Sequence, residues 1–217
     1  MFEYNNIGIT WTGHAGFKII YENKKVYIDP YKLSKKHEHM SDADIVFVTH
    51  NHFDHLSIED LKNIINEETV IVSAQECVSQ LKALNVKESI GIDPRDSVKV
   101  DDLKIETVPA YNVDKEFHPK NDKKIGFIIE FGNDRLYHVG DSDVIPEMKD
   151  TNPTIALVPV SGTYVMTADE ASKAINELIN PKIAIPMHYG TIVGNKKDAI
   201  RFSELVTVCK TEILESE

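Results

Sequence analysis

Thr49-His50-Asn51-His52-Phe53-Asp54-His55 places three imidazoles and a carboxylate within seven residues. The apolar run Ile45-Val46-Phe47-Val48 leads straight into it, and Ser57 with Asp60 follows it. A short continuous apolar run reads as a buried strand. A serine followed three residues later by an acid reads as a helix start. The histidines therefore occupy a strand-to-helix loop, where an α/β fold exposes functional groups. Alternate residues of an extended segment share a side, so His50 and His52 project together. Asp54 and His55 turn back from the start of the helix. Four donors so close in sequence differ too much in reach to serve one tetrahedral ion. They suit two adjacent ions, His50 with His52 on one and Asp54 with His55 on the other. A merely solvated polar loop has no reason to concentrate these residue types between an apolar strand and a capped helix.

Outward from this loop the chain repeats itself. Phe17–Ile28, with a turn at Asn23-Lys24 and then Asp29, resembles Phe127–Gly140, with a turn at Gly132-Asn133-Asp134 and then Asp141. The two begin 110 residues apart, and Ile45–Val48 with Ile155–Val158 and Ser57 with Thr167 keep that offset. Thr167 and Glu170 form a capping-box pattern. Ala171, Ala174, Ile175 and Leu178 continue at helical spacing, and Asn180-Pro181 stops the helix. Lys182–Met187 reads as a further buried strand, and Asn195 caps a last helix through Val208. Each half is a hairpin, an Asp, a buried strand, a loop and a helix. The expected architecture is one α/β domain over residues 1–217, with two αβ halves packed sheet on sheet.

Composition narrows the function. With 41% hydrophobic and 27% charged residues, the chain is an ordinary globular sequence rather than a disordered one. Its net charge of −11 repels polyanions, which argues against nucleic acid and anionic membranes as partners. No apolar run reaches the roughly 18 residues a membrane span needs. The opening Met1–Thr10 has neither the basic start nor the apolar core of a signal peptide, so a cytoplasmic location is expected. Cys77 and Cys209 are the only cysteines, too few for a disulfide framework or a cysteine-based zinc site.

The H-x-H-x-D-H run, Gly140-Asp141-Ser142 after the strand Arg135–Val139, and Met187-His188-Tyr189-Gly190 after a late strand together resemble the metallo-β-lactamase superfamily. The resemblance covers nearly the whole chain. It implies an αββα sandwich of two similar halves and a metal-dependent hydrolase holding two divalent ions. Imidazole and carboxylate ligands suit Zn first, and also Mn or Fe. Asp141 is then the carboxylate shared by both ions. His188 completes the second site, and Asp54 both holds that ion and handles the proton. Two such ions can share a hydroxide that attacks a small ester, lactone or phosphodiester, so the implied partner is a small-molecule substrate. Thr10-Trp11-Thr12-Gly13-His14-Ala15 and Pro186–Gly190 look like the subgroup of ascorbate-6-phosphate lactonase and the N-acylphosphatidylethanolamine phospholipases D. There a histidine in the position of His14 lies near the metals, which implies a role either supporting the metal ligands or contacting substrate. The alternative from another class is a ligand-binding protein that keeps the fold without catalysis.

One departure stands out. Many members carry another metal histidine after the strand that here is Ile105–Pro109, but this chain continues Ala110-Tyr111-Asn112. His118, the Asn112 amide or a water can fill that position. Tyr111, Asn112 and Tyr164 are placed to position a sugar or acyl group. Lys120, Lys123 and Lys124 are either phosphate contacts or an ordinary solvated loop. Ser161-Gly162-Thr163 is expected to line the cleft without ligands. His138 is expected to be structural, and His37 and His39 to lie in a solvated loop.

Overall fold

The computed structural model describes residues 1–217. The chain forms two compact units, Met1–Ile92 with Leu214–Glu217, and Asp93–Ile213. The first unit holds β1 (Phe2–Tyr4), β2 (Ile7–Gly13), β3 (Gly16–Tyr21), β4 (Lys24–Ile28), β5 (Ile45–Val48), α1 (Ile58–Ile64), β6 (Val70–Ala74), α2 (Val78–Leu81) and β7 (Glu88–Ile92). Its seven strands lie side by side in chain order. Pairing is antiparallel from β1 to β4 and parallel from β4 to β7. Ile9, Ile19 and Val26 are successive cross-strand partners, as are Trp11, Phe17 and Ile28, so directly opposed apolar side chains share one face. All four residues of β5 are buried, which is why it reads as an unbroken apolar run.

The second unit holds β8 (Ser97–Val100), β9 (Leu103–Pro109), β10 (Ile125–Phe131), β11 (Asp134–His138), β12 (Ile155–Pro159), α3 (Ala168–Ala174), β13 (Ile183–Met187), α4 (Lys196–Leu205) and β14 (Lys210–Thr211). Its sheet repeats the first strand for strand: four antiparallel strands, then parallel pairing through β14. The sequence repeat is thus a repeat of topology, with β3, β4, β5 and α1 answering to β10, β11, β12 and α3. The fold class is α/β, with two seven-stranded sheets and few helices.

The helix signals hold. Ser57 Oγ accepts from the Asp60 amide at 3.3 Å. Thr167 Oγ1 accepts from the Glu170 amide at 3.2 Å, while Glu170 Oε2 accepts from the Thr167 amide at 2.8 Å. Beyond Ala174, α3 widens into a π-helical turn, Ile175–Ile179, and Asn180 ends it at φ +48°. Several boundaries differ from expectation, among them the second turn, where Asp134 is already paired with Phe131, and the strand after it, which runs Asp134–His138. The last helix stops at Leu205, because the chain turns out to pair Lys210–Thr211 with β13. The first hairpin turns at Glu22-Asn23, one residue early, since Tyr21 is paired with Lys24.

His37 is also not solvated. Its ring is 2% exposed and stands edge-on to Tyr27 at 6.2 Å. The terminal Glu217 covers it, with Oε2 at 3.5 Å from His37 Nε2, Oε1 at 2.7 Å from Lys36 Nζ, and the Glu217 amide donating to the Trp11 carbonyl at 3.0 Å. A contact between residues so far apart in sequence leaves no local signal. His39 is exposed, as expected. No helix is long and apolar enough to cross a membrane.

Candidate metal centre

The first unit gathers donors where two parallel strands end together. Ile28 of β4 pairs with Phe47 of β5, so Asp29 and Thr49 emerge side by side. Asp29, fully buried, accepts from the Thr49 amide at 2.8 Å and from the Thr49 hydroxyl at 2.6 Å. It also accepts from His55 Nδ1 at 2.7 Å. A buried carboxylate supplied with three donors fixes the proton on His55 Nδ1 and leaves Nε2 as the donor atom. Thr49 Oγ1 has given its proton to Asp29, so the His50 Nδ1 that lies 3.0 Å away donates to it. His50 is therefore set in the same tautomer.

Around this frame the predicted loop closes on itself. Ligand-type atoms of His14, Asp54 and His55 all lie within 4.8 Å of one another, as do those of His50 with His52 and of His50 with His55. The His50 and His52 ring centroids are 4.6 Å apart, and those of His50 and His55 4.0 Å. His14 Nε2 lies 2.8 Å from Asp54 Oδ2, and the His14 carbonyl accepts from the Trp11 indole at 2.9 Å. His14, His50 and His55 are fully buried.

The second unit builds a smaller group on Asp141. Gly140 precedes it at φ +68°, and a Cβ there would stand 2.8 Å from the Ile125 carbonyl oxygen, so only glycine turns the chain at this point. Asp141 Oδ2 lies 3.1 Å from His188 Nε2 and 3.4 Å from His118 Nε2. Ser161 Oγ lies 3.0 Å from His188 Nδ1. The Tyr164 carbonyl accepts from His118 Nδ1 at 3.2 Å, which leaves His118 Nε2 as its donor atom. His14, Asp29, His118 and His188 are four of the fifteen non-glycine residues with left-handed backbone.

Of the two side chains that could replace the missing histidine, the structure brings His118 to Asp141. The Asn112 amide nitrogen is used elsewhere, donating to the Tyr164 carbonyl at 2.8 Å, while its Oδ1 is buried without a hydrogen-bond partner. Tyr111 is engaged by Glu147 and Lys120. Its hydroxyl donates to Glu147 Oε2 at 3.0 Å, and Lys120 Nζ stands 4.4 Å above its ring. Burial pulls the Glu147 carboxyl up, but its own amide, Lys120 and Tyr111 hold it below the usual range. The lysines of this loop all sit by acids. Lys120 contacts Glu147 at 3.1 Å, Lys123 contacts Asp93 at 3.4 Å, and the buried Lys124 lies 3.8 Å from Asp122. His138 is structural as expected, its Nδ1 accepting from the Gly140 amide at 3.2 Å.

Asp29, Thr49 and Ser161 orient the imidazoles, a role the sequence reading did not give them. Asp29 was visible as the acid that closes the first hairpin of the repeat. The donor chemistry fits divalent cations in both units, since buried imidazoles in fixed tautomers stand with carboxylates.

A family model described as the beta-lactamase superfamily domain matches residues 8–188. The chain belongs to that superfamily. Within it, the chain falls with the metal-dependent hydrolases. It is similar to a UPF0173 metal-dependent hydrolase of Thermoplasma acidophilum, 32% identical over 96% of this chain and 95% of that one. It is equally similar to one from Archaeoglobus fulgidus, 32% identical over 91% and 90%. A solved structure from Parabacteroides distasonis superposes with a TM-score of 0.84 at 28% identity, over 97% of this chain and 94% of that one. A metallo hydrolase from Ignicoccus hospitalis gives a TM-score of 0.78 at 26% identity, over 96% and 95%.

Proposed function

We propose that this member of the superfamily is a binuclear hydrolase of a small ester, lactone or phosphodiester, with Zn as the first choice of metal and Mn or Fe also suited. The observation that carries this reading is the pair of incomplete donor sets, buried except for the half-buried His52 and Asp54. His50, His52, Asp54 and His55 stand in one unit, and His118, Asp141 and His188 in the other. Neither set alone fills two coordination spheres; taking residues 1–217 as one domain, we assign ligands from both. His50, His52 and His118 would hold the first ion. Asp54, His55 and His188 would hold the second, and Asp141 would offer one oxygen to each.

A bound divalent ion supplies a Lewis acid for the attacked carbonyl or phosphoryl oxygen and lowers the pKa of water to about 7. The chain's own groups do the rest. Asp54 accepts the proton of the attacking water and returns it to the leaving group. His14 Nε2, 2.8 Å from Asp54 Oδ2, fixes the rotamer of that carboxylate. Asp29 and Thr49 hold His55 and His50 in the tautomer that presents Nε2. The likeness of the Thr10–Ala15 and Pro186–Gly190 segments to ascorbate-6-phosphate lactonase and the N-acylphosphatidylethanolamine phospholipases D supports lactone and phosphodiester substrates.

The test is elemental analysis of protein purified without chelator, together with hydrolysis by the Asp54→Asn variant. Close to two ions per chain and loss of most activity in a folded variant are expected. No bound metal even after adding Zn or Mn, or full activity in Asp54→Asn, overturns the reading.

A further inference from the structure

His118, assigned above to the first ion, does not stand at the end of a strand. It closes a loop that opens at Asn112. The pairing of β9 with β10 runs on past Pro109 and Ile125, where the Ala110 amide donates to the Lys124 carbonyl at 2.9 Å. The last rung is the Asn112 amide on the His118 carbonyl at 2.8 Å. Beyond that rung Val113, Asp114, Glu116 and Phe117 are all exposed. His118 itself has φ +54°, a backbone that a residue other than glycine keeps only where its surroundings impose it. Irregular chain of this kind loses entropy when it is ordered, so some contact must offset that loss.

At the tip, Lys115 alone turns inward. Its side chain is 16% exposed, against 72% for the neighbouring Asp114. The Lys115 ammonium donates to Asp143 Oδ1, and Asp143 is only 5% exposed. The Val113 amide donates to Asp143 Oδ2 at 2.8 Å. Asp143 is tied in turn to the start of the loop, its amide donating to the Tyr111 carbonyl at 3.0 Å. One carboxylate therefore grips the tip twice, two residues along the chain from Asp141. Asp141 Oδ2 is the atom that His118 Nε2 faces at 3.4 Å. A solvated ion pair would contribute little here. In a pair this shielded from water, loss of either partner leaves a charge stranded.

We infer that Lys115 and Asp143 are positioning residues of the first metal site. Their ion pair latches the loop from Asn112 to His118 onto the segment that carries Asp141. The latched loop thereby provides the histidine that the end of β9 lacks. The inference rests on the hydrolase reading for its ion and adds what holds the ligand in place.

The test uses the full chain and two measurements. The first is stepwise zinc titration in competition with a chromophoric chelator. Lys115→Met should weaken one of two zinc steps by about 10–100-fold, as loss of an outer support of a ligand does, and leave the other step unchanged. Lys115→Arg, which keeps the charge, should restore most of the weakened step. His118→Ala should weaken the same step, and Lys115→Met should add nothing in that background, because it acts through His118. The second measurement needs no metal. It follows hydrogen exchange of the Asn112 amide in the zinc-free chain, with the Ile129 amide in β10 as reference. Lys115→Met should speed exchange at Asn112 by about tenfold and leave Ile129 as it was. Zinc steps untouched by Lys115→Met, or weakened equally, would overturn the inference and leave the hydrolase standing. A chain that takes up no zinc would sink the hydrolase reading, and exchange alone would then decide the latch. Faster exchange at Asn112 would support it, and unchanged protection would overturn it.

Discussion

Asp29 takes no part in the proposed chemistry, yet it decides which nitrogen two histidines present. Such a carboxylate behind a metal-binding imidazole is worth about 10–100-fold in metal affinity. Asp29→Asn should therefore weaken zinc binding by that factor, read by competition with a chromophoric chelator; unchanged affinity would show that His55 needs no such partner. The His50–His55 loop was legible because its donors are consecutive in sequence. Asp29 acquires its partners only when β4 and β5 align, and His118 reaches Asp141 only through a loop folded on the Tyr164 carbonyl. Neither arrangement leaves a periodicity to read. His37 carries a pH prediction. Burial lowers its pKa against the opposing pull of Glu217, so the unfolded chain takes up a proton at about pH 6.5 that the folded chain resists. Its contribution to stability is complete above that pH and is lost as pH falls toward the folded value. His37→Gln should reduce the drop in Tm between pH 7 and pH 5; an identical drop would assign the pH dependence to other groups.

Elements were legible where local chemistry starts or stops them. Ser57, Thr167 and Asn195 all cap helices through their side chains, as their residue types indicate. Thr167→Ala removes the hydroxyl that accepts from the Glu170 amide, while the Thr167 amide can still donate to Glu170, and should cost about 1 kcal/mol in urea unfolding; no measurable loss would mean that the packing of α3 alone sets its start. The ends of β14 and α4 were not legible, because a two-residue edge strand is defined only by the neighbour it finds. Gly140 shows an element boundary with a direct bearing on the site. Gly140→Ala combines left-handed backbone with a Cβ 2.8 Å from the Ile125 carbonyl oxygen. It should cost on the order of 2 kcal/mol and displace Asp141, so metal content should fall with stability. Full metal content in that variant would separate the turn from the site.

For the molecule as a whole, the α/β class and the two similar halves were readable from one constant offset, since duplicated topology preserves spacing even where residues have diverged. Metal also belongs to this scale. Ions bound only by the folded chain add about 3 kcal/mol at a hundredfold excess over Kd. Chelation should lower Tm by about 5–10 °C, and re-addition of zinc should restore it; a Tm indifferent to chelator would count against ligands tying the fold together.

The order of the strands has a kinetic consequence. In both sheets every strand pairs with the strand next to it in the chain. The central hairpins turn in two residues, between Tyr21 and Lys24 and between Phe131 and Asp134. Each later strand then adds to an edge already formed, so the entropy of loop closure is met one connection at a time rather than in a single long-range search. The two sheets can therefore zip outward from β2–β4 and β9–β11 without exchanging a strand, a route with few opportunities for mispairing.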